Sequence, residues 1–257
     1  MSKLKLGENV VSNAEYHADR EYLSSSGLKL LLTDKEQFYR EYVLNQRQSV
    51  PENDNFIFGS YLHSLILEPE LVLKEYVIGE YSGRKSAEYL ELKTLYPDKV
   101  IISEKQNQLA SELLRAYSTH SVAPGLISNG ESEKTLCVNL KGVKIKVRGD
   151  YVNLDKNYIV DVKTTSGATS KDDLVKANER YMYHLSAALY CMAFKEHYKR
   201  NFDFYWIYLS KFDLTCDVYK MSLKSMKRGI EQVNDALTLY KKNVDNDSWA
   251  DYDIQEI

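Results

Sequence analysis

A chain of 257 residues with 44% hydrophobic and 28% charged side chains can bury a sizeable core, as one large domain or two small ones. This is an ordinary soluble globular composition with too few Gly and Pro for a linker-rich multidomain chain, no run approaches the ~18 apolar residues of a membrane span, and no secretory signal is expected at the start. The net charge of −3 excludes a general polyanion binder but not a local nucleic-acid site. Cys137, Cys191 and Cys216 are too scattered for a disulfide framework or a clustered metal site, so a cytoplasmic protein with reduced thiols is expected.

Along the chain, "YLSSSGLKLLLTDKEQFYREYVL" (22–44) offers serine N-caps followed by Leu28, Leu31, Leu32, Phe38 and Tyr42, which predicts one or two short helices. "NFIFGSYLHSLILEPE" (55–70) predicts a compact apolar helix closed by Pro69. "SEKQNQLASELLRAYSTH" (103–120) predicts an amphipathic helix capped by Ser103, and "PGLISNG" (124–130) a loop. The period then changes from helical to alternating over 134–165, with turns at "KG" and "NLDKN", which predicts a strand meander. A long helix is expected from about 172 to 199, strands at 202–210 and 216–223, and an amphipathic helix at 226–244. This order predicts one α/β domain on a mixed sheet.

Alternation places Val143, Ile145 and Val147 on one side of their strand and Lys144, Lys146, Arg148 and Asp150 on the other. On the next strand, "YIVDVKTT", Asp161 and Lys163 share a face. The turn between the strands lets Asp150 approach that pair. Two readings stand: a solvated hairpin face, or two carboxylates and a lysine converging on a hard divalent cation, which favours oxygen ligands and activates water. Lys144, Lys146 and Arg148 read either as a phosphate-tracking stripe or as a wetted strand face. The 21 tyrosines read first as half-buried surface cover, and second as stacking partners for bases.

"RGDYVN…YIVDVKTT" resembles the core of the PD-(D/E)xK nucleases, in particular their RecB-like branch. "YLSSSGLKLLLTDKEQFY", "FGSYLHSLILEPE" and "RYMYHLSAALY" add, in order, motifs similar to those of the RecE-type phage exonuclease (exonuclease eight) domain. The resemblance implies a single PD-(D/E)xK domain at 21–245, a central mixed sheet flanked by helices, with an N-terminal arm at 1–20 and an acidic tail at 246–257. It implies that His63, Asp150, Asp161 and the backbone carbonyl of Val162 bind Mg2+ (or Mn2+), and that Lys163 positions the water. Glu133, with Glu131 its rival, would support the site, and Tyr190 would contact the site or the DNA backbone. Ser186 stands where the family usually has glutamine, which puts DNA engagement or rate in question. No cysteine quartet of the iron–sulfur members is present. The implied activity is 5′-to-3′ exonucleolysis of double-stranded DNA ends, leaving 3′ overhangs, by a homo-oligomeric ring partnered by a RecT-like single-strand annealing recombinase and no membrane. A structure-selective or flap endonuclease, and a catalytically silent DNA-binding or interaction module, are the alternatives.

Overall fold

The computed structural model of the protein describes residues 2–46 and 53–249. The first half contains β1 (Gly7–Asn9), α1 (Asn13–Ala18), α2 (Ser25–Thr33), α3 (Lys35–Phe38) with a π-helical turn at Tyr39–Val43, α4 (Asp54–Leu67) and α5 (Pro69–Glu75). There follow β2 (Tyr76–Gly79), α6 (Ala87–Leu95), β3 (Val100–Ser103), α7 (Glu104–Thr119) and α8 (Ala123–Leu126). The second half is β4 (Glu131–Leu140), β5 (Val143–Asn153), β6 (Tyr158–Thr165), α9 (Lys171–Tyr181), α10 (Tyr183–Tyr198), β7 (Asp203–Ser210), β8 (Cys216–Lys220) and α11 (Leu223–Asn246).

The six-stranded sheet has the order β1-β4-β5-β6-β7-β8, and β6 and β7 run parallel while the other neighbours are antiparallel. Alternate side chains feed two cores: Ile159 belongs to one with α2, α10 and α11, whereas Val160 belongs to the other with α4 and α7. The result is the expected mixed sheet with helices on both faces. β2 and β3 form a separate parallel pair in a stretch for which the sequence pattern gave no element. No helix among the described residues is long and apolar enough to cross a membrane.

Three local expectations are corrected. The helix expected from 172 to 199 is two helices, because Met182 takes a left-handed φ of 49°. Their faces differ: α9 buries only Leu174, whereas α10 is buried nearly all round and has to plunge into the core. Pro69 does not merely end α4; it opens α5, where its missing N–H costs nothing. Part of "PGLISNG", expected as loop, is the short α8.

Lys146 and Arg148 are neither a phosphate stripe nor a wetted face, since they are 2% and 8% exposed. They fasten the N-terminal segment: Lys146 donates to the carbonyls of Tyr16 and Asp19, and Arg148 to that of Val11. The stretch set apart as an N-terminal arm thus supplies the edge strand β1 and lies along β4 and β5. Of the acidic tail, Trp249 packs against Phe38 and Tyr39, and residues 250–257 lie outside the described residues.

Candidate active site

The site lies where the sheet forks. β5 and β6 pair only from Tyr151–Val160 to Asn153–Tyr158; beyond, β5 stays with β4 and β6 with β7. Asp150 and Asp161 are the first residues past the fork. A buried backbone N–H without a ladder partner is costly, and here Asp150 Oδ2 accepts the N–H of Val162 at 2.8 Å. Side-chain alternation slips at the same point, because Val147 and Val152 face one core while Tyr151 faces the other. Across from it Glu133 adopts φ 52° between the pairs Ser132–Tyr151 and Lys134–Gly149. A left-handed non-glycine residue inside a strand costs about 1–3 kcal/mol, and such strain concentrates at working sites.

His63 projects from α4 into this fork. Its Nε2 lies 2.8 Å from Asp150 Oδ2 and its Nδ1 3.5 Å from Glu133 Oε1. One ligand atom each from His63, Glu133 and Asp150 all fall within 4.8 Å of one another. Lys163 Nζ sits 2.7 Å from both oxygens of Asp161, an ionic contact whose geometry leaves the buried Oδ2 without a hydrogen bond. His63, Glu133, Asp150, Val162 and Lys163 line one cavity of about 770 Å3, together with Glu68 and residues of the N-terminal segment.

The charges are tightly balanced. Burial pulls the His63 imidazole down, but the Asp150 and Glu133 carboxylates outweigh it and lift it to about 10. Burial raises Asp150, yet His63 and Lys163 bring it below the ordinary value. Asp161 is raised, by burial first and by Asp150, against the pull of Lys163. Lys163 stays above its ordinary range because Asp161 and Asp150 overcome its burial.

Of the expected residues, His63, Asp150, Glu133, Val162 and Lys163 therefore meet in one cavity. Asp161 is held by Lys163 rather than standing within the His63–Glu133–Asp150 cluster. Glu131 points away, exposed and paired with Lys134 at 2.9 Å. Tyr190 does not line the cavity; its ring packs edge-on to Phe204, with Ser25 beside its hydroxyl, and burial pushes the phenol well up. Ser186 lies half-buried one turn earlier on α10.

Sequence reasoning missed Lys29 and Tyr183. The ammonium groups of Lys163 and Lys29 lie 5.7 and 5.4 Å from the centre of the Tyr183 ring. Burial, then the charge of Lys163, draws Lys29 down to about 8. Its signal was a lone cation inside the apolar run "GLKLLL".

The donor set fits a hard divalent cation. Two carboxylates and an imidazole converge, and oxygen-rich sets with one nitrogen suit magnesium or manganese.

The family profile of DUF3799, described as a PDDEXK-like domain of unknown function, matches residues 24–255. No curated protein matches the chain. Among solved structures, a "Putative exonuclease" from Eubacterium rectale superposes with a TM-score of 0.65 at 16% identity, over 91% of this chain and 88% of that one. SSO0001 gives a TM-score of 0.41 at 14% identity, over 88% and 81% of the two chains. A phage related exonuclease from Haemophilus somnus 129PT gives 0.33 at 14% identity, over 76% of this chain and 100% of that one.

Proposed function

Because the chain belongs to the DUF3799 family of PDDEXK-like domains, we propose that it is a divalent-metal-dependent deoxyribonuclease that degrades double-stranded DNA from its ends, 5′-to-3′, leaving 3′ single-stranded overhangs. The observation that carries this reading is the His63–Glu133–Asp150 cluster, set in one cavity with the ammonium that Asp161 holds. His63, Glu133 and Asp150 would hold Mg2+ or Mn2+, with Asp161 and the Val162 carbonyl within the same fork. When bound, the ion supplies Lewis acidity and a more acidic water.

Lys163 remains protonated through neutrality, so it acts as a hydrogen-bond donor and point charge rather than as a base. It would orient the attacking water and offset negative charge as water oxygen bonds to phosphorus and the P–O bond to the leaving nucleotide breaks, the water's proton passing through solvent to the leaving oxygen. Asp161 fixes that ammonium in place. Without the ion His63 is anchored between two carboxylates; a bound cation would take the place of the proton on its ligating nitrogen.

End-directed digestion is supported by the ordered motifs that resemble RecE-type exonucleases and by the exonuclease name of the Eubacterium rectale relative of like fold. A homo-oligomeric ring enclosing the duplex suits a chain with net charge −3, since enclosure lessens the need for strong electrostatic affinity. Under this reading the enzyme works in the cytoplasm of a bacterial host and hands its overhangs to a single-strand annealing recombinase. The test is digestion of one DNA sequence as an end-labelled linear duplex and as a covalently closed circle, with magnesium and with chelator. Loss of the linear form alone, only with metal, is expected. Digestion of the circle would assign a structure-selective or flap-type endonuclease instead, and digestion of neither would leave a silent DNA-binding module.

A further inference from the structure

A second cleft, of about 700 Å3, opens on the other flank of Lys163 and shares Asn55, Phe56, Lys163 and Thr164 with the first. The two differ in charge. The first carries Glu68, Glu75, Glu133 and Asp150, whereas none of the described residues lining the second is acidic, in a chain with 37 acidic residues. Lys211 lines the second cleft, hydrogen-bonded to Asn55 Oδ1 at 2.8 Å and without a carboxylate partner among the described residues. Tyr181 and Tyr183 stack at 5.5 Å along its wall. Tyr181 and Phe56, which also line it, are 49% and 72% exposed as residues.

A buried hydroxyl also points to a ligand. Tyr208 lines the cleft, its residue is 2% exposed, and its hydroxyl has no hydrogen-bond partner. It is the register partner of Lys163 on the neighbouring strand, and the Asp161 carboxylate that Lys163 holds is the leading charge to act on it. A buried hydroxyl left unpaired costs stability unless something arrives to accept from it.

We infer that this cleft binds an unpaired strand of nucleic acid on one side of the scissile phosphate: Lys211 and the Tyr208 hydroxyl hold backbone phosphates, and bases stack on Tyr181 and Phe56. The chemistry favours a single strand over a duplex. Flat aromatic rings gain by covering open base faces, which stacked pairs inside a duplex do not offer. The inference rests on the nuclease reading and deepens it by dividing the work between the flanks of Lys163, with acids for the cation on one side and cations and rings for the strand on the other.

The experiment measures binding of a fluorescein-labelled single-stranded oligonucleotide by anisotropy, in chelator, across a salt series, with a blunt duplex of the same sequence in parallel. Tyr208→Phe removes only a hydroxyl and should weaken single-strand binding a few-fold. Tyr181→Ala should weaken it about tenfold. Lys211→Met should reduce the salt slope by about 0.7, the value for one phosphate contact on a single strand. Circular dichroism confirms that each variant is folded. The inference is overturned if wild-type protein does not bind the single strand, if all three variants bind like wild type, or if the duplex shows equal affinity and equal sensitivity to them. Variant-sensitive binding together with no metal-dependent cleavage would instead uphold the cleft and remove the nuclease reading.

Discussion

Lys163 illustrates how the site holds charge. Its ammonium and the Asp161 carboxylate are mutually dependent, so removing one strands the other. Lys163→Met should reduce hydrolysis by about 10²–10³-fold, the range for losing one preorganised donor that faces developing negative charge. It should also cost about 2 kcal/mol of stability, less than a fully buried pair because the Lys163 side chain keeps 30% of its exposure. Adding Asp161→Asn should recover most of that stability and none of the activity. Denaturant unfolding alongside a DNA digestion assay separates the two effects, and recovered activity in the double variant would refute the assigned roles. His63 makes a pH prediction in the metal-free protein. Its imidazole is raised on folding to about 10, so its contribution is fully present below the unfolded value near 6.5 and is lost as pH rises through about 10. In chelator, the Tm should therefore fall between pH 7 and pH 10, and His63→Gln should lack that fall; a flat wild-type profile would argue against a charged imidazole.

At the scale of elements, the site depends on how helices and strands are brought close. α10 carries Tyr183 and Tyr190 and packs on α11, where Gly229 allows the backbones to touch. A Cβ at Gly229 would lie 2.1 Å from the His184 carbonyl oxygen and 2.7 Å from the Ala188 Cβ. Gly229→Ala should thus lower stability by about 1–3 kcal/mol through overpacking, read as a reduced denaturation midpoint at an unchanged slope. An unshifted midpoint would show that the helices can part without cost. The fork between β5 and β6 is the complementary case, in which two strands separate and a carboxylate takes over a ladder acceptor's part. The short pairing between them was legible as a hairpin around "NLDKN". The slip in alternation at Asp150 and the left-handed Glu133 were not, because a period-2 pattern assumes an unbroken ladder.

For the whole molecule, the N-terminal segment is a wall of the site rather than an appendage. Val11, Ser12 and His17 line the cavity that holds His63 and Asp150, and Lys146 and Arg148 bind the segment from beneath. Deleting residues 1–20 would leave those two cations without their carbonyl partners. It should lower the unfolding free energy by at least about 3 kcal/mol and weaken metal binding, as measured by denaturation and by calorimetric titration with manganese. Full retention of both would make the segment dispensable.

Local pattern alone carried much of this protein. The caps at Ser24 and Ser103, the switch to alternation at β4, and the ordered motifs around His63, Asp150 and Asp161–Lys163 are properties of neighbours in the chain, where sterics and period act directly. The break at Met182, the burial of Lys146 and Arg148, and the choice of Glu133 over Glu131 depend on which surfaces meet across the sheet. So does the pairing of Lys29 and Lys163 around one tyrosine ring. Those outcomes are fixed by desolvation and by contacts between residues far apart in sequence, and only the assembled fold supplies them.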